Sequence, residues 1–176
     1  MSTDLDFNFL LVMGVAGSGK SHVAQYVAQA LNLSLVEADD YHPIMNVQRM
    51  SQGLPLNDEL RWPWLAAVAE AAVVAQDTTR RPVVIACSAL KQRYRDFLNG
   101  ELKGLRVIYL YADAHKIRSR LAARSDHYML VGMLDSQLAD LEPPHPDTCW
   151  MIDVSPSKEE VLKNVLSRIQ THQRAA

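Results

Sequence analysis

Only two cysteines, Cys87 and Cys149, occur in the 176 residues, each inside an apolar run at 83–87 and 149–152. That is too little sulfur for a disulfide framework, and no Cys/His pattern spaces ligands for zinc, so both read as buried thiols in reducing surroundings. No run of about 18 uncharged apolar residues is present, and no basic stretch precedes an apolar core near residue 1. Neither a membrane-spanning helix nor a secretory leader is expected, and the cytoplasm is the expected compartment. An excess of one charge sign is also missing, with 18 Lys+Arg against 20 Asp+Glu. A chain so balanced has no electrostatic footprint for a phosphate backbone, so nucleic acid is not an expected partner. Glycine and proline are sparse at 7 and 8, while 48% of residues are hydrophobic, which excludes fibrous and disordered chains.

What is present has the length of one packed domain, 1–176. Five short apolar runs, at 9–13, 33–38, 83–87, 106–111 and 148–154, are apolar nearly throughout rather than alternating, as strands buried on both faces of a parallel sheet must be. Helical patterns fall between them at 20–31, 64–75, 90–98, 115–123, 131–141 and 156–171, with Pro63 suited to a first helical turn. Strand and helix alternation of this kind predicts a three-layer α/β domain with right-handed crossovers. Two stretches break the regularity. Residues 39–61 are long for one connection and rich in polar side chains, which suggests a substrate-binding insertion; residues 118–144 carry Arg118, Arg120 and Arg124 ahead of Ser125-Asp126-His127, where a lid could sit.

Gly14-Val15-Ala16-Gly17-Ser18-Gly19-Lys20-Ser21 fits G-x-x-x-x-G-K-[ST] at every fixed position, after a strand and before a helix. In such a P-loop, backbone N–H groups and the helix N-terminus face the phosphates of a nucleoside triphosphate. Lys20 is then the group for the β- and γ-phosphates and the Ser21 hydroxyl a ligand for Mg²⁺. No Asn-Lys-x-Asp sequence occurs, which disfavours a GTPase, and His22 stands where a dinucleotide pattern counted from Gly17 would need glycine. The fold class is therefore an α/β three-layer P-loop NTPase, of the nucleoside-monophosphate-kinase type, with a five-stranded parallel sheet flanked by helices.

The second strand ends in Glu37-Ala38-Asp39-Asp40-Tyr41-His42-Pro43. In a doubly wound sheet that end lines the ligand crevice, where a carboxylate can accept a proton from an attacking hydroxyl or hold water on Mg²⁺; Asp39 and Asp40 equally suit the start of a turn. His42, Asn46, Arg49, Asp58 and Arg61 cluster in the insertion as candidates for a small anionic polyhydroxyl substrate, against the plainer reading of a solvated face. In Cys87-Ser88-Ala89-Leu90-Lys91-Gln92-Arg93-Tyr94-Arg95, Ser88 suits a helix N-cap as well as a substrate contact, and Lys91 and Arg95, four apart, could reach an anion from one face. Arg120 and Arg124, also four apart, suit a lid that offsets charge on a transferring phosphoryl group. The turn Asp153-Val154-Ser155-Pro156 is the candidate for adenine contacts.

Taken in order along nearly the whole chain, these blocks resemble the bacterial-type gluconate kinases. The resemblance rests on the P-loop; on Asp39-Asp40-Tyr41-His42-Pro43 with Asn46; on Met50, Gly53-Leu54-Pro55-Leu56-Asn57-Asp58 and Arg61-Trp62-Pro63-Trp64-Leu65; on Cys87–Lys91 with Tyr94-Arg95; and on Ser136-Gln137 with Leu141-Glu142-Pro143. It implies phosphorylation of D-gluconate at its 6-hydroxyl by ATP with Mg²⁺. It implies Asp39 as the carboxylate facing that hydroxyl, with His42, Arg49, Asp58, Arg61, Lys91 and Gln137 around the sugar acid, and commonly a homodimer. Leu60 stands where the family usually has an acidic residue, Asp126 often where it has glycine, and Tyr128 frequently where it has phenylalanine. Another small-metabolite kinase, such as a shikimate or adenylate kinase, and a non-catalytic ATP-binding module are the alternative readings.

Overall fold

The computed structural model of the chain describes residues 5–123 and 127–173, the side chains of 127–132 and 173 excepted. In order come β1 (Phe9–Met13), α1 (Lys20–Leu31), β2 (Ser34–Glu37), a 3₁₀ turn (Ala38–Tyr41), α2 (Ile44–Ser51), α3 (Asp58–Thr79), β3 (Val83–Ala86) and α4 (Gln92–Glu101). Then follow β4 (Leu105–Tyr111), α5 (Ala114–Ala122), α6 (His127–Asp140), β5 (Trp150–Asp153) and α7 (Lys158–Gln173). The five strands form one parallel sheet in the order β2-β3-β1-β4-β5. β1 lies at its centre, with Phe9 in register with Val83 on one side and Leu105 on the other.

The absence of alternation in β1 has its explanation here, since all five residues are buried but face two different cores. Leu10 and Val12 join α1 and α7 side chains such as Val23, Val27, Val161 and Val165 on one face of the sheet. Phe9, Leu11 and Met13 join Leu65 and Val68 of α3 and Tyr94 and Leu98 of α4 on the other. Each such fully buried aliphatic side chain contributes roughly 1.5–3 kcal/mol, which is why a double-sided apolar strand specifies the middle layer so firmly.

Three differences from the sequence reading bear on the site. The predicted 64–75 helix begins at Asp58, because the Asn57 side chain caps it by accepting from the Leu60 N–H at 3.1 Å. Pro63 thus sits in its second turn, where it removes one helical hydrogen bond that the 22-residue helix tolerates. The 39–61 stretch, read as a connection, holds the 3₁₀ turn and α2, whose apolar Ile44, Met45 and Val47 are exposed and so left no buried stripe to read. α4 starts at Gln92 rather than near Leu90, and Ser88 is not its N-cap. Glu142 does that work from across the fold, its carboxylate accepting from the Gln92 N–H at 2.6 Å.

The topology positions the site. All five strands point the same way, so the turns after β1, β2 and β3 gather on one edge with those after β4 and β5. The chain builds β2 and β3 on one side of β1, then crosses to build β4 and β5 on the other. The loop after β1 therefore lies at the switch point, where open α/β sheets bind ligands.

Candidate active site

Gly14–Ser21 curls around that switch point. Gly17 has φ +81, and a Cβ there would lie 2.8 Å from Leu121 Cγ on α5, so glycine is required both by conformation and by the approach of the helix. The Ser18 N–H closes the turn onto the Val15 carbonyl at 3.1 Å, and Lys20 Nζ donates to the same carbonyl at 3.2 Å. α1 begins at Lys20, so the N–H groups of its first turn have no carbonyl one turn back, and its dipole presents positive charge. The Ser18 hydroxyl is buried without a hydrogen-bond partner among the described residues. Beside the loop lies a cavity of about 520 Å³ walled by Gly17–Gly19, His22 and Arg120 and, across it, by Val154, Pro156 and Ser157 after β5. Arg120 donates to the Val154 carbonyl, joining those two walls.

On the β2 side of the loop, Glu37 faces the Ser21 side chain; burial raises the Glu37 pKa, and the neighbouring Ser21 hydroxyl works the other way. A hard-oxygen pair of hydroxyl and carboxylate beside a phosphate loop suits Mg²⁺, which takes few protein ligands and keeps its waters and phosphate oxygens. Two residues on, Asp39 projects with its side chain 80% exposed and its Oδ1 3.9 Å from His42 Nε2. His42 is held hard in place. Its ring stacks on Trp64 at 4.2 Å, and Asn46 Nδ2 lies 3.4 Å from its Nδ1. Trp64 in turn donates to the Ala38 carbonyl at 2.7 Å and Asn46 to the Leu60 carbonyl at 2.9 Å. Burial pushes the His42 pKa down, so the ring is neutral at pH 7 and its contact with Asp39 is polar rather than ionic.

Further along the same edge, Asp58, Arg61 and Lys91 meet in one charged cluster with Tyr94 and Asp140. Arg61 Nη1 donates to Tyr94 Oη at 2.9 Å and to Asp140 Oδ2 at 2.7 Å. Lys91 Nζ lies 3.1 Å from Asp58 Oδ1 and 3.2 Å from Asp140 Oδ1. Tyr94 Oη and Arg93 complete the contacts to Asp58. Burial works against the charges of Arg61 and Lys91, but their bonds to the carboxylates and Tyr94 outweigh it and raise both pKa values. The bond from Tyr94, then that from Lys91, holds the Asp58 carboxyl low. His42, Asn46 and the Leu60 carbonyl thus link Asp39 to the start of α3, which carries Arg61 into the cluster with Lys91.

Residues 9–144 match the AAA domain family. The thermoresistant gluconokinase of Escherichia coli is 38% identical over 171 residues, covering 96% of this chain and 97% of that one. A probable gluconokinase of Schizosaccharomyces pombe is 43% identical over 150 residues, covering 82% and 78%. The chain belongs to the gluconokinase family. A crystal structure of a gluconokinase from Sinorhizobium meliloti superposes with a TM-score of 0.86 at 35% identity, over 97% of this chain and 96% of that one. The fold expected from sequence, a three-layer P-loop kinase domain with a five-stranded parallel sheet, is therefore the fold of this gluconokinase-family member.

Not every residue singled out from sequence joins the edge just described. Arg49 is exposed, and its Nε donates to the Pro55 carbonyl at 2.8 Å, closing the turn after α2. Gln137 reaches the P-loop instead of the charged cluster, its Oε1 accepting from the Ala16 N–H at 2.6 Å. Arg95 does not share an open face with Lys91. It is buried and donates to the carbonyls of Ala89, Leu90 and Glu142 at 2.8–2.9 Å, fastening the turn that presents Lys91. Arg124 and Asp126 lie outside the described residues, as does the Tyr128 side chain. Cys87 and Cys149 are buried free thiols, and burial pushes Cys87 up to about 12, which leaves it inert. Sequence reasoning gave no role to Asp140. Its signal was its spacing, one turn beyond Gln137 on α6.

Proposed function

We propose that the chain transfers the γ-phosphoryl group of ATP to the 6-hydroxyl of D-gluconate. The observation that carries this reading is the gathering on one sheet edge of the P-loop, Glu37, Asp39 with His42, and the Asp58–Arg61–Lys91 cluster, beside a cavity of about 520 Å³, in a chain of the gluconokinase family. Membership of that family brings ATP use with it; the assignments of individual residues are ours.

ATP lies with its base toward Val154 and Pro156 and its phosphates on Gly14–Ser21, held by the N–H groups opening α1 and by Lys20. Ser21, with Glu37 beside it, would hold Mg²⁺, which when bound would neutralise charge on the phosphates. Asp39, at the head of the 3₁₀ turn and beside a neutral, clamped His42, accepts the proton of the sugar's primary hydroxyl or holds that hydroxyl in line. Asp58, Arg61 and Lys91 grip the far end of the sugar acid, with an arginine and a lysine for its carboxylate. Arg120 and Arg124, in a lid spanning about 118–144, offset charge as the phosphoryl moves, and closure excludes water. The substrate-binding insertion is 39–61 within a single domain, and the assembly is a homodimer in the cytoplasm.

The test is a coupled ADP-release assay with ATP and Mg²⁺ against D-gluconate, shikimate, AMP and no acceptor. Release that depends on gluconate alone is the expected result. Release with another acceptor moves the substrate assignment, and no release with any acceptor overturns the kinase reading.

A further inference from the structure

The two carboxylate oxygens of Asp140 are divided between two cations. Oδ2 takes Arg61 Nη1 at 2.7 Å and Oδ1 takes Lys91 Nζ at 3.2 Å. Arg61 and Lys91 side chains are only 11% and 18% exposed, so few of their donors face solvent. A carboxylate shared between a guanidinium and an ammonium is the arrangement expected of a bound carboxylate ligand. Here a side chain of the protein makes it.

The two carboxylates of the cluster are not equivalent. Asp58 is the first residue of α3, where the helix N-terminus favours negative charge, and it is held by Tyr94, Lys91 and Arg93. Asp140 is the last residue of α6, where the exposed carbonyls disfavour it. Among the described residues, its hydrogen-bond and ion-pair partners are Arg61 and Lys91 alone. Three cations face two carboxylates in the cluster, so the residual charge suits one further monoanion. That anion must either share the donors with Asp140, at the cost of like-charge repulsion, or take its place.

We propose that Asp140 is an internal competitor for the substrate's carboxylate, occupying Arg61 and Lys91 until the sugar acid displaces it. Asp140 thereby sets the affinity for sugar acids and leaves neutral polyols unaffected. The proposal rests on the placement of the sugar acid at Arg61 and Lys91 given above.

Steady-state kinetics of Asp140→Asn, Asp140→Glu, Arg61→Ala and Lys91→Ala test it. The isosteric neutral variant Asp140→Asn should lower the KM for gluconate by about fivefold, the scale of one partly exposed charge contact, without moving the KM for ATP. Asp140→Glu should stay near the parent value, and inhibition by a neutral six-carbon polyol should be the same in Asp140→Asn as in the parent. A damaged site does not bind its substrate more tightly, so the fall distinguishes competition from misfolding. If Arg61→Ala and Lys91→Ala raise the gluconate KM by about tenfold or more while Asp140→Asn leaves it unchanged or raises it, the competitor role is overturned and the substrate site stands. If neither alanine variant moves the gluconate KM, the placement of the sugar acid fails and the proposal falls with it.

Discussion

Lys20 and Arg95 are both cations near the strand ends, yet burial sorts them into different work. Lys20 is partly exposed at the mouth of the P-loop, where a phosphate can reach it. Its replacement by alanine should lower kcat by about 10²–10³-fold, the usual cost of removing one preorganised charge contact, with the thermal unfolding midpoint preserved. Full activity in that variant would defeat the phosphoryl-transfer scheme. Arg95 is 5% exposed and its guanidinium serves three backbone carbonyls and the Gln92 side chain. Arg95→Ala leaves those groups unsatisfied in the interior and should cost about 3 kcal/mol of stability, read from urea unfolding. A loss below about 1 kcal/mol would mean that water takes over those bonds.

At the scale of elements, α6 does two jobs one helical turn apart. Gln137 braces the Ala16 N–H of the P-loop, and Asp140 meets the cations of the charged cluster. Arg118 of α5 pairs with Asp135 of α6 across the surface where the two helices meet. Gln137→Ala strips the P-loop of an anchor 121 residues distant in sequence. The KM for ATP should then rise by about tenfold, which corresponds to one lost hydrogen bond, while the KM for gluconate stays within twofold. A rise in the gluconate KM alone would return Gln137 to the sugar-acid contacts expected from sequence.

For the whole molecule, pH acts through groups whose protonation differs between folded and unfolded chains. His42 is held below its ordinary value by burial, so the unfolded chain takes up the proton first. Stability is therefore intact above the ordinary histidine range, declines as pH falls through it, and levels off only below the folded value. Asp58 and Asp140 are held low, Asp58 chiefly by Tyr94, Asp140 by Arg61 and Lys91 against its own burial. Their contributions persist above the ordinary aspartate range and are lost as pH falls through their folded values. Glu37, raised by burial, has the opposite sign and is relieved on acidification. The expected profile is a two-stage acid loss, and His42→Gln should flatten the stage between about pH 7 and 5.5. An unfolding midpoint equally pH-dependent in that variant would assign the stage elsewhere.

Local signals determined a great deal. Apolar runs mark all five strands to within two residues at either end; β1 and β3, buried on both sides, do not alternate, whereas the edge strands β2 and β5 are apolar in sequence yet leave Leu35 and Met151 exposed. The P-loop was legible because its glycines answer to backbone conformation and its Lys20-Ser21 to phosphate chemistry, both properties of neighbours in sequence. Sequence singles out Asp58 and Arg61 in the 39–61 insertion and Lys91 after the third strand, and the fold brings the three together. Tertiary structure decided which polar residue touches which. Gln137 meets the P-loop 121 residues away and Asp140 meets Arg61 79 residues away, while Arg95 turns inward to the Glu142 carbonyl 47 residues on, and nothing in their immediate neighbours encodes those distances. The cap of α4 shows the same physics: Ser88 had the right chemistry for it, but Ala89 turns the chain with φ +42 and delivers Gln92 to the carboxylate of Glu142 instead.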